Sequence, residues 1–186
     1  MPRVLIPLAQ GCEELEAITL IDLLRRAGVE VISAGLDEGV VTASRGTRLL
    51  PDTTLDAVRN EDFDLIALPG GLPGADHLDQ DPRLRAILAR QAEKQRDIAA
   101  ICAAPKVLAH AGLLHGRRAT SYPGVLDALD LDDTEVTGVP VEVDGHIITS
   151  RGPGTAMDFA LTLIERLAGA EKRAEVEQGL MREPGC

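Results

Sequence analysis

Aromatic side chains are scarce in this 186-residue chain, which has one tyrosine, two phenylalanines and no tryptophan. Stacking platforms for nucleic-acid bases are therefore not expected. Positive charge is also in deficit, with 19 Lys and Arg against 30 Asp and Glu and a formal net charge of -11. Such a balance repels phosphate backbones and anionic lipid. The pair Arg117-Arg118 is too short to act as a basic patch, so no nucleic-acid partner is expected. No apolar run reaches the ~20 residues that a membrane-spanning helix needs. The opening MPRVLIPLAQ gives way at once to GCEELE, with no small-residue cleavage site. The expectation is a cytoplasmic protein with no membrane partner. Three cysteines, Cys12, Cys102 and Cys186, are an odd number for a chain without a secretory signal, which argues against a disulfide framework. No glycine-rich loop has the dinucleotide form, and no His, Cys and carboxylate set has zinc spacing, so neither a metal nor another cofactor is expected.

What is present is an alternation of short β-branched runs with longer segments of helical period, the pattern of a parallel α/β sheet. The length suits one domain, residues 1–186 with a core of about 3–180. Strands are expected at Arg3 to Leu8, Val29 to Ala34, Val40 to Ala43, Asp64 to Leu68 and Asp97 to Ile101. Helices are expected at Glu13 to Ala27, Leu55 to Asn60, Pro82 to Lys94, Pro105 to Ala111 and Thr155 to Leu167, with a last one over Glu171 to Leu180. The first of these should bury Leu15, Ile18, Leu23 and Leu24. The segment from Gly112 to Val136 reads more weakly, with a strand near Ala119 to Ser121 and a short helix near Val125 to Leu129. Val139 to Glu142 and His146 to Ser150 flank Asp144-Gly145 as a hairpin.

In open parallel sheets ligands bind beyond the carboxyl ends of the strands. Two such ends stand out, Pro69-Gly70-Gly71 and Ile101-Cys102-Ala103-Ala104-Pro105. A cysteine in a tight turn from strand to helix faces free backbone N–H groups, which lower thiol pKa values to ~3.5–7.5 in other proteins. Ala100, Ala103 and Ala104 leave room beside it, while Gly70 and Gly71 let backbone donors approach a reacting oxygen. Position alone leaves a second reading open, a buried cysteine packing as a small hydrophobe. Glu13, Glu14 and Glu16 open the first helix at the same edge of the sheet. Glu13 and Glu14 suit the helix dipole, but Glu16 lies on an apolar face. A carboxyl there makes sense beside a thiolate only when it carries the proton the two share.

With Glu16, Pro69-Gly70-Gly71, AAICAAP and SRGPGTAMDFAL in place, the sequence resembles the ThiJ/PfpI superfamily, in the branch of the Parkinsonism-associated protein deglycase and bacterial YajL. The likeness runs in order from about Val4 to Leu180. It implies a flavodoxin-like three-layer sandwich with a mostly parallel central sheet, a homodimer, and catalytic Cys102 on a nucleophile elbow hydrogen-bonded to Glu16. It also implies an oxyanion site from the N–H groups of Gly71 and Ala103, with Gly70 beside it. Arg45 and Arg151 match family arginines near the dimer interface and the site entrance, and Asp22 matches an acidic partner of Arg45. Two departures stand out: Ala103 occupies the position after the nucleophile where some relatives have histidine, and Tyr122-Pro123 falls where the deglycase branch often has one. His77, His110, His115 and His146 match no catalytic position and read as helix or surface residues. Without a general base, peptidase activity is disfavoured.

Two functions fit these residues. One is a cofactor-independent glyoxalase or deglycase, acting on α-oxoaldehydes or their protein and thiol adducts through the Cys102 thiolate, with Glu16 as acid and base. The other is a non-enzymatic oxidative-stress sensor or holdase chaperone in which Cys102 is oxidised to sulfinate. Cys12 reads as a spectator and Cys186 as a mobile chain end.

Overall fold

The chain begins with β1 (Arg3–Leu8), α1 (Glu14–Arg26) and β2 (Glu30–Gly35) in a computed structural model that describes residues 1–182. The short pieces β3 (Val41–Thr42), β4 (Arg48–Leu49), β5 (Thr53–Thr54) and α2 (Leu55–Val58) lead to β6 (Leu65–Leu68). Next come α3 (Gly74–Gln80), α4 (Pro82–Glu93), β7 (Asp97–Ile101) and α5 (Pro105–His110). The remainder is β8 (Arg118–Ala119), β9 (Glu135–Val136), β10 (Val141–Asp144), β11 (Ile147–Ser150), a 3-10 turn at Pro153–Thr155, α6 (Ala156–Ala168) and α7 (Ala170–Gly179).

Seven strands form one sheet in the order β10-β11-β7-β6-β1-β2-β5. Every pairing in it is parallel except the β10–β11 hairpin at one edge. Side chains alternate across a strand, so β1 sends Val4, Ile6 and Leu8 to one face and Leu5 to the other. On the first face α1 packs beside α6, burying Leu20, Leu24, Phe159 and Leu163, with α7 behind α6. The second face is covered by α2, α3, α4 and α5 through Leu55, Leu78, Leu84, Leu88 and Leu108. This is the flavodoxin-like three-layer sandwich with a mostly parallel central sheet. Among the described residues no helix is long and apolar enough to cross a membrane.

Several details depart from the sequence reading. In α1 the buried residues are Glu16, Ala17, Leu20, Leu23 and Leu24, while Leu15 and Ile18 are 50% and 46% exposed. The apolar positions of this helix are wide enough to satisfy a helical period on either side, and the sheet selects the side that carries Glu16. The segment from Val125 to Leu129 forms consecutive turns instead of a helix. The hairpin turn is Gly145-His146, one residue later than expected, with Asp144 paired to Ile147. α3 and the two-residue strands β4, β5 and β9 were not foreseen. Cys186 lies outside the described residues.

Candidate active site

β7 delivers Cys102 at the carboxyl edge of the sheet, and Pro105 starts α5 three residues later. Between them the backbone turns sharply: Cys102 has φ +65°, the left-handed region that costs a non-glycine residue about 1–3 kcal/mol. Two hydrogen bonds hold it there. The Cys102 N–H donates to the Ser150 carbonyl at 2.9 Å, and the Tyr122 N–H donates to the Cys102 carbonyl at 2.8 Å. The residue is buried, 8% exposed.

The three acidic residues that start α1 do three different things. Glu13 is the N-cap, its carboxylate accepting the Glu16 N–H at 2.8 Å. Glu14 accepts from Ser44 Oγ and the N–H groups of Arg45 and Thr47 at 3.0–3.4 Å, fastening the β3–β4 turn to the helix. Those donors hold its carboxyl down at about 2, against the opposing effect of desolvation. Glu16 is fully buried. Its Oε2 accepts the Gly70 N–H at 2.8 Å, and its Oε1 receives no hydrogen bond. Burial raises the Glu16 carboxyl to about 7, the Gly70 and Cys102 contacts opposing and the Glu13 charge assisting.

Glycine is required at the facing loop. A Cβ on Gly70 would lie 2.7 Å from Cys102 Cβ and 2.8 Å from Glu16 Oε2. Gly71 has φ +86°, and a Cβ there would lie 2.4 Å from the Glu13 nitrogen. The N–H groups of Gly71 and Ala103 both act on the Cys102 sulfur and favour its anion.

The expected drop in the thiol pKa is nevertheless reversed. Burial first, and then the charge of Glu16, push Cys102 up to about 12. α5 has only six residues, and the two backbone donors do not outweigh a buried carboxylate beside the sulfur. The thiol and carboxyl are therefore a coupled pair, and burial pushes both upward. With the proton on Glu16 the carboxylate charge no longer opposes the thiolate, and burial is the cost that the Gly71 and Ala103 donors offset. A bare Oε1 favours that arrangement, because a buried carboxylate oxygen without a donor is costly while a protonated one can donate to sulfur.

The other expected residues scatter. Tyr122 and Arg151 are exposed and line a cleft with Pro123, Gly152 and Pro153, next to the two segments that anchor Cys102. Arg45 is exposed at the β3–β4 turn, and its side chain makes no ion pair among the described residues. Asp22 pairs with Arg26 one turn along α1 at 3.1 Å, not with Arg45, within this chain. Cys12 is 1% exposed, and burial followed by the charges of Glu14 and Glu13 raises its thiol to about 11. The four histidines bond elsewhere: His77 to the Gln10 carbonyl, His110 to Asp79, His115 to Asp133 and His146 to Asp97. Among the described residues no three His, Cys, Asp or Glu side chains are placed to hold a metal ion. Sequence reasoning gave Glu13 a role toward the helix dipole but not that of the N-cap, and passed over Ser150.

The model of the DJ-1/PfpI family matches residues 2–166. The chain is 46% identical over 178 residues to Protein dj-1beta of Drosophila melanogaster, covering 95% of both chains. It is 37% identical over 169 residues to a Caenorhabditis elegans protein named glutathione-independent glyoxalase DJR-1.2, covering 91% of this chain and 89% of that one. Among solved structures, oxidized DJ-1 of Toxoplasma gondii superposes with a TM-score of 0.93 at 41% identity, covering 98% of this chain and 99% of that one.

Proposed function

Because the chain belongs to the DJ-1/PfpI family, we propose that it is a cofactor-independent glyoxalase that converts small α-oxoaldehydes to 2-hydroxy acids at Cys102 and Glu16. One observation carries this reading: a fully buried carboxyl raised to about 7 faces a cysteine on a strained elbow. A carboxyl titrating near neutrality is suited to both giving and taking a proton. In the name of the Caenorhabditis elegans relative, glyoxalase activity is stated for that protein.

With methylglyoxal the Cys102 thiolate adds to the aldehyde carbon, and the carbonyl oxygen, facing the Gly71 and Ala103 N–H groups, takes up a proton to complete a hemithioacetal. Glu16, now ionised, removes the hydrogen from that carbon, giving an enediolate whose remaining hydroxyl proton passes from the oxygen of that carbon to the oxygen of the adjacent one. It returns the proton to the adjacent carbon, leaving a lactoyl thioester on Cys102. Water then cleaves the thioester, releasing lactate and regenerating the thiol and carboxyl with their shared proton. The net change is addition of one water, with no external oxidant or reductant. Hemithioacetals and hemiaminals formed by the same aldehydes on thiols and amines release free aldehyde, and this is the route by which glycated adducts enter the proposed site. Lactate formed from methylglyoxal without added thiol, followed by NMR, tests the reading. Turnover that persists unchanged in Cys102→Ser removes it.

A second reading rests on the same donors. Two N–H groups on one sulfur would also bind the oxygens of a sulfinate, so Cys102 would serve as an oxidative-stress sensor, each of two peroxides adding one oxygen to sulfur and leaving as water. Graded peroxide with mass spectrometry should then place two oxygens on Cys102 before Cys12 is modified; equal oxidation of both cysteines counts against it. We further propose a homodimer built on the first helical face, where Leu15 and Ile18 of α1 and Met157 of α6 leave apolar surface exposed.

A further inference from the structure

We infer that Glu13 is the positioning residue that ties the Glu16 carboxyl to the peptide whose N–H faces the Cys102 sulfur. The inference rests on the active-site reading above. Three hydrogen bonds form a closed ring. The Glu13 N–H donates to the Gly70 carbonyl at 2.9 Å; the Gly70 N–H donates to Glu16 Oε2 at 2.8 Å; the Glu16 N–H donates to Glu13 Oε2 at 2.8 Å. In a planar trans peptide the C=O and N–H point in opposite directions. With the Gly70 carbonyl bound to Glu13, the following N–H, that of Gly71, is turned away from α1, to the side where the Cys102 sulfur lies. The two backbones meet too closely here for any side chain on Gly71. The backbone N–H of residue 13 thus holds the peptide of the oxyanion donor, and its side chain holds the backbone of the residue that carries the proton.

Capping alone does not account for a glutamate, since Ser, Thr, Asp and Asn are the favoured N-caps. The glutamate adds a negative charge on the same turn as Glu16. The groups facing Glu16 are the Gly70 N–H from the β6 loop, the Cys102 thiol from the elbow, Cys12 from the loop after β1 and the Glu13 carboxylate from its own helix. Of these, Glu13 is the one whose charge favours the protonated carboxyl.

The test measures alkylation of Cys102 by iodoacetamide against pH, read by mass spectrometry on the full chain, together with lactate formation. In Glu13→Gln the amide oxygen still accepts the Glu16 N–H, and the acidic midpoint moves to lower pH. In Glu13→Ala the midpoint moves in the same direction and kcat/KM for lactate falls on the order of 10- to 100-fold as the geometry loosens. Glu13→Asp keeps the charge and holds the parent midpoint. A midpoint identical in all variants, or a loss in Glu13→Ala that only tracks the folded fraction, overturns the inference. If the parent makes no lactate yet the midpoints move as described, the reaction reading fails and the role of Glu13 stands.

Discussion

The two ends of the parallel sheet each bury a carboxylate, and they treat it in opposite ways. At the amino end, Asp97 begins β7 with its side chain 12% exposed, and Arg166 grips both oxygens at 2.8 and 2.9 Å while His146 bonds one at 3.0 Å. The hydrogen bond to Asp97 in turn raises the Arg166 guanidinium. At the carboxyl end, Glu16 has no cation, one backbone donor and one bare oxygen. A buried anion matched by a bidentate cation has its oxygens satisfied by charge-assisted bonds, whereas an unmatched one is costly and takes up a proton near neutrality.

The largest expected effect removes the proton carrier. Glu16→Gln should lower kcat for lactate formation by ~10²–10⁴-fold, the usual contribution of general acid-base catalysis, and steady-state kinetics would show it. An activity retained within twofold would erase the contrast between the ends. Its effect on stability has the opposite sign. The Glu16 pKa is raised on folding, so its stabilising contribution is whole below ~4.3 and is lost as pH rises through about 7. Thermal unfolding should therefore find Glu16→Gln gaining on the parent as pH rises from 4 to 8, by up to ~3 kcal/mol. At the amino end Asp97→Asn should cost ~1–3 kcal/mol by leaving Arg166 partly unpaired, seen in urea unfolding, with lactate turnover per folded molecule unchanged. The smallest effect belongs to a pair at neither end: Asp22→Asn should cost at most ~0.5 kcal/mol, since its exposed i,i+4 bond to Arg26 is screened by solvent.

Much of this was legible in the chain itself. The strand Arg3 to Leu8, the helix that Asp81-Pro82 opens and the cysteine placed after β7 all follow from local pattern. Glu16 stood out as a carboxyl on an apolar face. Other features depend on what lies opposite. Leu15 and Ile18 satisfy the helical period of α1 as well as Leu20 and Leu24 do. α3 is seven residues long, opens with glycine and has no side-chain cap, so local signals for it are weak. The thiol shift was expected in the wrong direction because backbone donors can be anticipated from a turn, while the desolvation that outweighs them depends on packing.

By itself, the order of residues determined the alternation of strands and helices and the placing of Cys102, Gly70, Gly71 and Glu16 at ends of elements, because hydrophobic period and turn chemistry act over a few neighbours. Only the tertiary structure decided which face of α1 is buried, that Glu13 closes a ring through Gly70 and Glu16, and that a thiol and a carboxyl 86 positions apart in sequence are buried side by side. Those outcomes come from burial and from hydrogen bonds between distant segments, and neither exists until the layers have closed.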